Sequence, residues 1–114
     1  MKLYSYASCA TCRKAIAWLR HRGNQPELIE IISQPPTLEE LRLGMAQLGR
    51  KRLFNTNGQS YRALGSAAIQ AMDDEQALAA LAADGKLVKR PFLITDAGRV
   101  LTGFQPQAWM GLLD

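Results

Sequence analysis

Two cysteines stand three residues apart near the N-terminus, in the run Ser8-Cys9-Ala10-Thr11-Cys12-Arg13-Lys14. A cysteine attacks as thiolate, and an ordinary thiol with a pKa of about 8.5 is mostly protonated at neutral pH. Position corrects this. Cys9 falls where a short β-rich run gives way to a helical pattern, and there the unpaired backbone N–H groups and the helix dipole favour an anion. Arg13 and Lys14 add positive charge close by, which makes Arg13 a candidate substrate-binding residue. Cys12, one helical turn further on, is within reach of the Cys9 sulfur in a mixed disulfide. The spacing therefore assigns Cys9 as the attacking thiol and Cys12 as the resolving one. Two inert core thiols are the bland alternative, but a CxxC between a strand and a helix favours redox chemistry. A structural zinc needs four ligands and the chain has two Cys and one His, so no metal is expected. That histidine, His21, sits at the tail of the first helical pattern, where it complements the dipole.

The elements that must position these thiols follow from periodicity. Lys2-Leu3-Tyr4-Ser5-Tyr6 alternates and reads as a strand. From Ala10 to about Arg22, the residues Ala15, Ile16, Trp18 and Leu19 share one helical face, and Gly23-Asn24 stops the helix. Glu27–Ile32 is a second strand, closed by Ser33-Gln34-Pro35-Pro36; strand, helix and strand in this order give a parallel pair. Thr37 with Glu40 is a capping box for a helix that carries Leu38, Leu41, Met45 and Leu48 to Gly49. Arg50 to Gly65 reads mainly as loop, with one helical turn after Ser60. Ser66–Met72 and Asp74–Ala83 are two Ala-rich helices, the second capped by Asp73. Phe92–Thr95 and Val100–Thr102 flank a turn and form a hairpin. Ala108, Trp109, Leu112 and Leu113 suit a short terminal helix, and Trp18, Trp109, Tyr4 and Phe92 are assigned to the core.

The bulk properties limit the alternatives. A chain of 114 residues with 47% hydrophobic composition has room for one domain, residues 1–114, with a core of its own. No apolar run approaches the roughly 20 residues that span a bilayer, so no membrane role is expected. A secreted scaffold would use more cysteines to close longer loops, which points to the cytoplasm. The formal charge is +4, and no acidic residue occurs between Glu40 and Asp73, where Arg42, Arg50, Lys51, Arg52 and Arg62 fall. Such a stretch could meet an oxyanion or an acidic protein surface. It lacks aromatic interleaving and any nucleic-acid motif, so direct DNA binding is not expected.

Several of these runs together resemble the arsenate reductase (ArsC) and Spx/MgsR family: Leu3-Tyr4 through Cys9-Ala10-Thr11-Cys12-Arg13-Lys14-Ala15, Trp18-Leu19, Phe54-Asn55-Thr56-Asn57-Gly58 with Tyr61-Arg62-Ala63-Leu64, Lys89-Arg90-Pro91 and Thr102-Gly103-Phe104. The resemblance implies an α/β thioredoxin-like fold: a four-stranded mixed sheet with a helical insertion between its halves. It also implies that Arg90-Pro91 is held cis beside the active cysteine, an isomer that sequence does not fix, so that Arg90 offers guanidinium donors to an oxyanion or thiolate. Pro91, Asn55 and Arg62 are the further substrate-binding candidates on this basis.

Two functions follow from the resemblance. In the arsenate reductases one cysteine, matched by Cys9, attacks arsenate, and three arginines hold the oxyanion. Arg90 matches one of the three, and the positions aligned with the other two hold Asn55 and Leu101. Each missing charge-assisted bond costs roughly 1.5 to 3 kcal/mol, which disfavours arsenate unless Arg52, Arg62 or Arg99 substitutes. The first reading is thus a thiol–disulfide oxidoreductase closest to the reductase-like branch with CxxC. It acts on a small thiol or oxyanion, has no bound cofactor, and is reduced by glutathione or by a glutaredoxin or thioredoxin. The second is an Spx/MgsR-like redox-sensing regulator that binds the C-terminal domain of the RNA polymerase α subunit.

Overall fold

The structure is a computed structural model that describes residues 1–113, with side chains described to Gly111. The packing expected of Leu112 and Leu113 lies outside those side chains. Four strands, β1 (Lys2–Ser5), β2 (Glu27–Glu30), β3 (Phe92–Ile94) and β4 (Val100–Thr102), form one sheet in the order β2-β1-β3-β4. β1 pairs parallel with β2 and antiparallel with β3, and β3 pairs antiparallel with β4. The helices are α1 (Ala10–His21), α2 (Leu38–Leu48), α3 (Gln59–Leu64), α4 (Ser66–Ala71), α5 (Asp74–Ala83) and α6 (Pro106–Leu113). The sheet is mixed and four-stranded, with α2 to α5 inserted between its halves, as the sequence leads one to expect. None of the described helices is long and apolar enough to cross a membrane.

Strand alternation distributes the core over both faces of the sheet. Tyr4, Phe92 and Val100 point into one cluster with Leu41, Leu53, Leu78 and Leu81 from the inserted helices. Their neighbours Leu3, Leu93 and Leu101 point into the other, with Ala15 and Leu19 of α1 and Trp109 of α6. A fully buried aliphatic side chain contributes about 1.5–3 kcal/mol, so this two-sided burial is what fixes the strand register. The capping box at the start of α2 forms as expected, with the Glu40 N–H donating to Thr37 Oγ1 at 3.1 Å and the Thr37 N–H to Glu40 Oε1 at 2.9 Å. Glu40 also accepts from the Tyr4 hydroxyl, which ties α2 to β1. Burial works against the Glu40 carboxylate, but the Tyr4, Thr37 and Lys2 donors outweigh it and hold the carboxyl below its ordinary pKa.

Two stretches differ from the sequence expectation. β2 ends at Glu30, because Ile31 to Ser33 turn away from the sheet, with the Gln34 N–H closing on Glu30 O at 2.9 Å. The stretch from Arg50 to Gly65, expected mainly as loop with one helical turn after Ser60, holds a 3₁₀ turn, Arg50–Arg52, and α3, which extends the expected turn to Gln59–Leu64. α3 starts without a side-chain cap, which is why no start signal marks it. Gly65, at φ +89°, then breaks α3 from α4. The basic stretch is also partly neutralised. Arg42 forks onto Glu75, and Arg50 reaches Asp74 at 2.8 Å and the Met72 carbonyl at 2.9 Å.

A second 3₁₀ turn, Gly85–Leu87, brings the insertion back to the sheet. A Cβ at Gly85 would lie 1.8 Å from the Ile31 carbonyl oxygen, a contact that only a backbone shift relieves. Gly85→Ala is therefore expected to lower unfolding stability by about 1–3 kcal/mol, read as a lower denaturant midpoint. An unchanged midpoint would contradict this packing.

Candidate active site

The sheet register gathers the site. Tyr4 lies opposite Phe92, and Phe92 opposite Thr102. The C-terminal end of β1, the N-terminal end of β3 and the C-terminal end of β4 thus share one edge of the sheet. β1 leaves that edge into the turn at Ala7-Ser8, where the Cys9 N–H donates to Tyr6 O at 2.9 Å and α1 begins. Cys9 is the N-cap of α1, and its sulfur accepts the Cys12 N–H at 3.2 Å. A thiol here takes the place that Ser, Thr or Asp commonly fills, with an orphan backbone donor aimed at its sulfur.

Cys12 lies beside Cys9 but is fully buried, with Ala15 and Leu19 on the inner face of α1. Both cysteines are free thiols. Burial pushes the Cys12 thiol up to about 12, reinforced by its hydrogen bond to Cys9 and, less strongly, by Coulomb repulsion from Cys9; a backbone hydrogen bond from Tyr6 and, behind it, the Arg90 charge pull the other way. Cys12 is therefore a neutral donor toward Cys9 at physiological pH.

The Arg90–Pro91 bond is cis, and Arg90 lines the same open cavity of about 420 Å³ as Cys9. The guanidinium lies over the Tyr6 ring, 5.1 Å from its centroid, and Nη1 is buried without a hydrogen-bond partner. Asn55 enters the cavity through a short antiparallel pairing across the insertion. The Asn55 N–H donates to Leu87 O at 2.7 Å and the Lys89 N–H to Leu53 O at 2.8 Å. This pairing brings Lys89 into the cavity as well. Phe104 closes the far wall, packed edge-on against Trp18 and Trp109, while the Trp109 indole donates to Gly103 O at 3.0 Å.

The remaining candidates have other tasks. The Arg13 guanidinium donates to Ala7 O at 2.7 Å, bracing the turn before Cys9. Arg62 donates to Asn57 O at 3.0 Å, bracing the wall that carries Asn55. Neither lines the cavity, and neither do Arg52 or Arg99. Pro91 is buried behind Arg90, its carbonyl accepting from the Gly103 N–H at 3.0 Å. Leu101 points into the core beneath α1, so that position offers the cavity nothing, whatever its residue type contributes elsewhere. Lys89, Thr11, Asn57 and Thr102, which lie in the runs that carry the family resemblance but were given no role there, also line the cavity, as does Gln105. The Lys89 side chain lies across Gly103, where a Cβ would come within 3.1 Å of its Cε. With Lys89 and Arg90 present and no carboxylate among the described lining residues, the cavity favours anions.

The ArsC family model matches residues 4–112 of the chain. Among curated proteins the chain is 41% identical to the uncharacterized protein YusI of Bacillus subtilis over 92% of its own length and 91% of that protein. It is 30% identical to the regulatory protein MgsR of the same organism, over 93% of this chain and 84% of MgsR. Among solved structures, one described as a possible arsenate reductase from Streptococcus mutans superposes with a TM-score of 0.89 at 35% identity, covering 99% of this chain and 97% of that one.

The asymmetry of the two thiols is open to direct test. Alkylation of the native, reduced chain at neutral pH should modify Cys9 and leave Cys12 intact, because Cys12 is both inaccessible and protonated. Peptide mapping after iodoacetamide treatment reads this. Comparable labelling of Cys12 without unfolding would overturn the assignment.

Proposed function

As the chain belongs to the ArsC family, we propose that it is a cytoplasmic thiol–disulfide oxidoreductase with Cys9 as nucleophile and Cys12 as resolving thiol. The observation that carries this reading is the pairing of the N-cap thiol Cys9, on a cation-lined cavity, with a buried thiol one turn behind it. The Cys9 thiolate attacks a substrate disulfide, forming a mixed disulfide and releasing one thiol, which takes up a proton. Cys12 then loses its proton and attacks the Cys9 sulfur. The Cys9–Cys12 disulfide forms, the second substrate thiol leaves, and two electrons have passed from the pair to the substrate. Glutathione, or a glutaredoxin or thioredoxin, returns the pair to its reduced state.

The environment of Cys12 suits this order of events. While Cys9 is free, its charge and its hydrogen bond help to keep Cys12 protonated. Once Cys9 is tied up in a mixed disulfide both influences disappear, and the Tyr6 backbone and Arg90 contributions favouring the Cys12 thiolate remain. Burial, the largest influence holding Cys12 protonated, is unchanged by that step, so the loss of the Cys9 influences eases its deprotonation only in part. Arg90 and Lys89 attract an anionic substrate to the same cavity. Arsenate is a poor fit, because Arg90 is the one arginine among the described lining residues and Asn55 is uncharged.

The similarity to MgsR over most of the chain favours a second reading, in which the same disulfide is a signal and the partner is the RNA polymerase α subunit. The exposed Lys51, Arg52 and Arg62 leave a basic surface for such a contact. Binding of the α C-terminal domain in only one redox state would select this reading over turnover.

Incubation with oxidised glutathione tests the roles of the thiols. The Cys12→Ser variant should accumulate a stable mixed disulfide at Cys9, the wild type should pass on to the internal disulfide, and Cys9→Ser should do neither. Failure of Cys12→Ser to trap an adduct counts against the proposal. Steady-state arsenate reduction with glutathione and glutaredoxin should be weak or absent, and substantial turnover would mean that Lys89 or another cation replaces the missing arginines.

A further inference from the structure

A second cavity, of about 370 Å³, opens where the 3₁₀ turn Arg50–Arg52, α3 and α4 meet, at the break that Gly65 makes between the two helices. Its floor is apolar. Phe54 and Ile69 are buried there, and the half-buried Tyr61 ring packs edge-on against Phe54 with centroids 6.2 Å apart. Arg50 braces the wall, its guanidinium taken up by the Ile69 and Met72 carbonyls and by Asp74. Three polar groups of the lining are left over. The Lys51 ammonium, the Thr56 hydroxyl and the Tyr61 hydroxyl have no hydrogen-bond or ion-pair partner among the described residues, and all three remain open to solvent. No carboxylate occurs among the described lining residues.

We propose that this cavity binds a small amphipathic carboxylate, a molecule with an aromatic or branched apolar body and one negative charge, the charge held by Lys51 and the body laid on Phe54, Tyr61 and Ile69. Each half of the lining disfavours a simpler occupant. A purely apolar molecule would cover Lys51 without pairing it, and a bare inorganic ion would leave the apolar floor in contact with water. A concave space of a few hundred Å³, mostly apolar with a few polar groups to fix orientation, has the make-up of a small-molecule site. The run without acidic residues from Glu40 to Asp73 surrounds it with positive charge, which favours an anion. The site needs neither thiol, yet it shares a wall with the redox cavity. Asn55 and Asn57 line the cavity of Cys9, while Phe54 and Thr56, alternating with them along the same segment, line this one. A ligand here lies against the back of the wall that faces Cys9.

The test is a backbone NMR titration of the full, reduced chain with sodium 4-phenylbutyrate at ionic strength held constant with sodium chloride, set beside titrations with 4-phenylbutan-1-ol and with sodium butyrate. Saturable shifts with 4-phenylbutyrate are expected at Lys51, Thr56, Tyr61 and Ile69, with smaller ones at Asn55 and Asn57. The alcohol, which keeps the body and lacks the charge, should bind about fivefold more weakly, the upper end for a solvent-exposed ion pair. Butyrate, which keeps the charge and lacks the ring, should give no saturable shift. Lys51→Gln should weaken 4-phenylbutyrate binding about fivefold and leave the alcohol unaffected, and Lys51→Arg should restore most of the loss. Arg52→Gln, which removes a neighbouring charge outside the cavity, should change the affinity less than about twofold, since it acts only through screened long-range attraction. Cys9→Ser should bind as the wild type does, which separates this proposal from the one about the thiols. Four results would overturn it: shifts with 4-phenylbutyrate that stay linear, saturable shifts confined to Thr11 and to Gly103, Phe104 and Gln105, equal affinity for the alcohol and the carboxylate, or full affinity in Lys51→Gln.

Discussion

The hydrogen bond from the Cys12 backbone to the Cys9 sulfur is the contact around which the site is organised. It makes a thiol the first cap of α1, so the start of the helix and the reactive sulfur are one feature. The position of that cap is fixed by β1, whose parallel pairing with β2 and antiparallel pairing with β3 leave its C-terminal end no freedom. Leu3 and Tyr4 lock β1 from both faces, and Ala15 and Leu19 seat α1 on the sheet. Moving the sulfur would therefore require disturbing one or both cores.

Around this fixed sulfur the chain places cations rather than acids or bases. Arg90 and Lys89 come from adjacent positions before β3, and the insertion contributes polar amides in Asn55 and Asn57. The arrangement attracts negative charge but does not surround it with forked donors, as the binding of a free oxyanion would demand. A thiol or disulfide with an acidic group meets these conditions better than arsenate does. Three other arginines are used as braces. Arg13, Arg50 and Arg62 all end on backbone carbonyls, holding the turn before Cys9, the α4–α5 junction and the wall that carries Asn55.

Local signals made most of the fold legible. Alternation marked β1 and the β3–β4 hairpin, and Thr37 and Asp73 announced α2 and α5 through their caps. Cys9 and Cys12 were readable because their chemistry depends on three residues of spacing at one helix start. Of helix α3 only a turn after Ser60 was legible, because the helix is short and polar and has no side-chain cap. Lys89 and Asn57 were hidden for a different reason. They reach the cavity through the pairing of Leu53–Asn55 with Leu87–Lys89, and no local pattern encodes a contact across more than thirty residues of inserted helix. Arg13 and Arg62 show the converse: nearness to a motif in sequence did not decide where a long side chain ends.

We propose that Cys9 and Cys12 form a working redox pair coupled to Arg90. Equilibration in glutathione redox buffers, followed by backbone NMR of both end states, tests it most directly. A reversible Cys9–Cys12 disulfide is expected, with shifts reaching Lys89, Arg90 and the Asn55–Asn57 wall because the Cys9 sulfur that changes its bonding shares their cavity. A pair that stays reduced across the whole range of buffers, or shifts confined to residues 8 to 14, would contradict it.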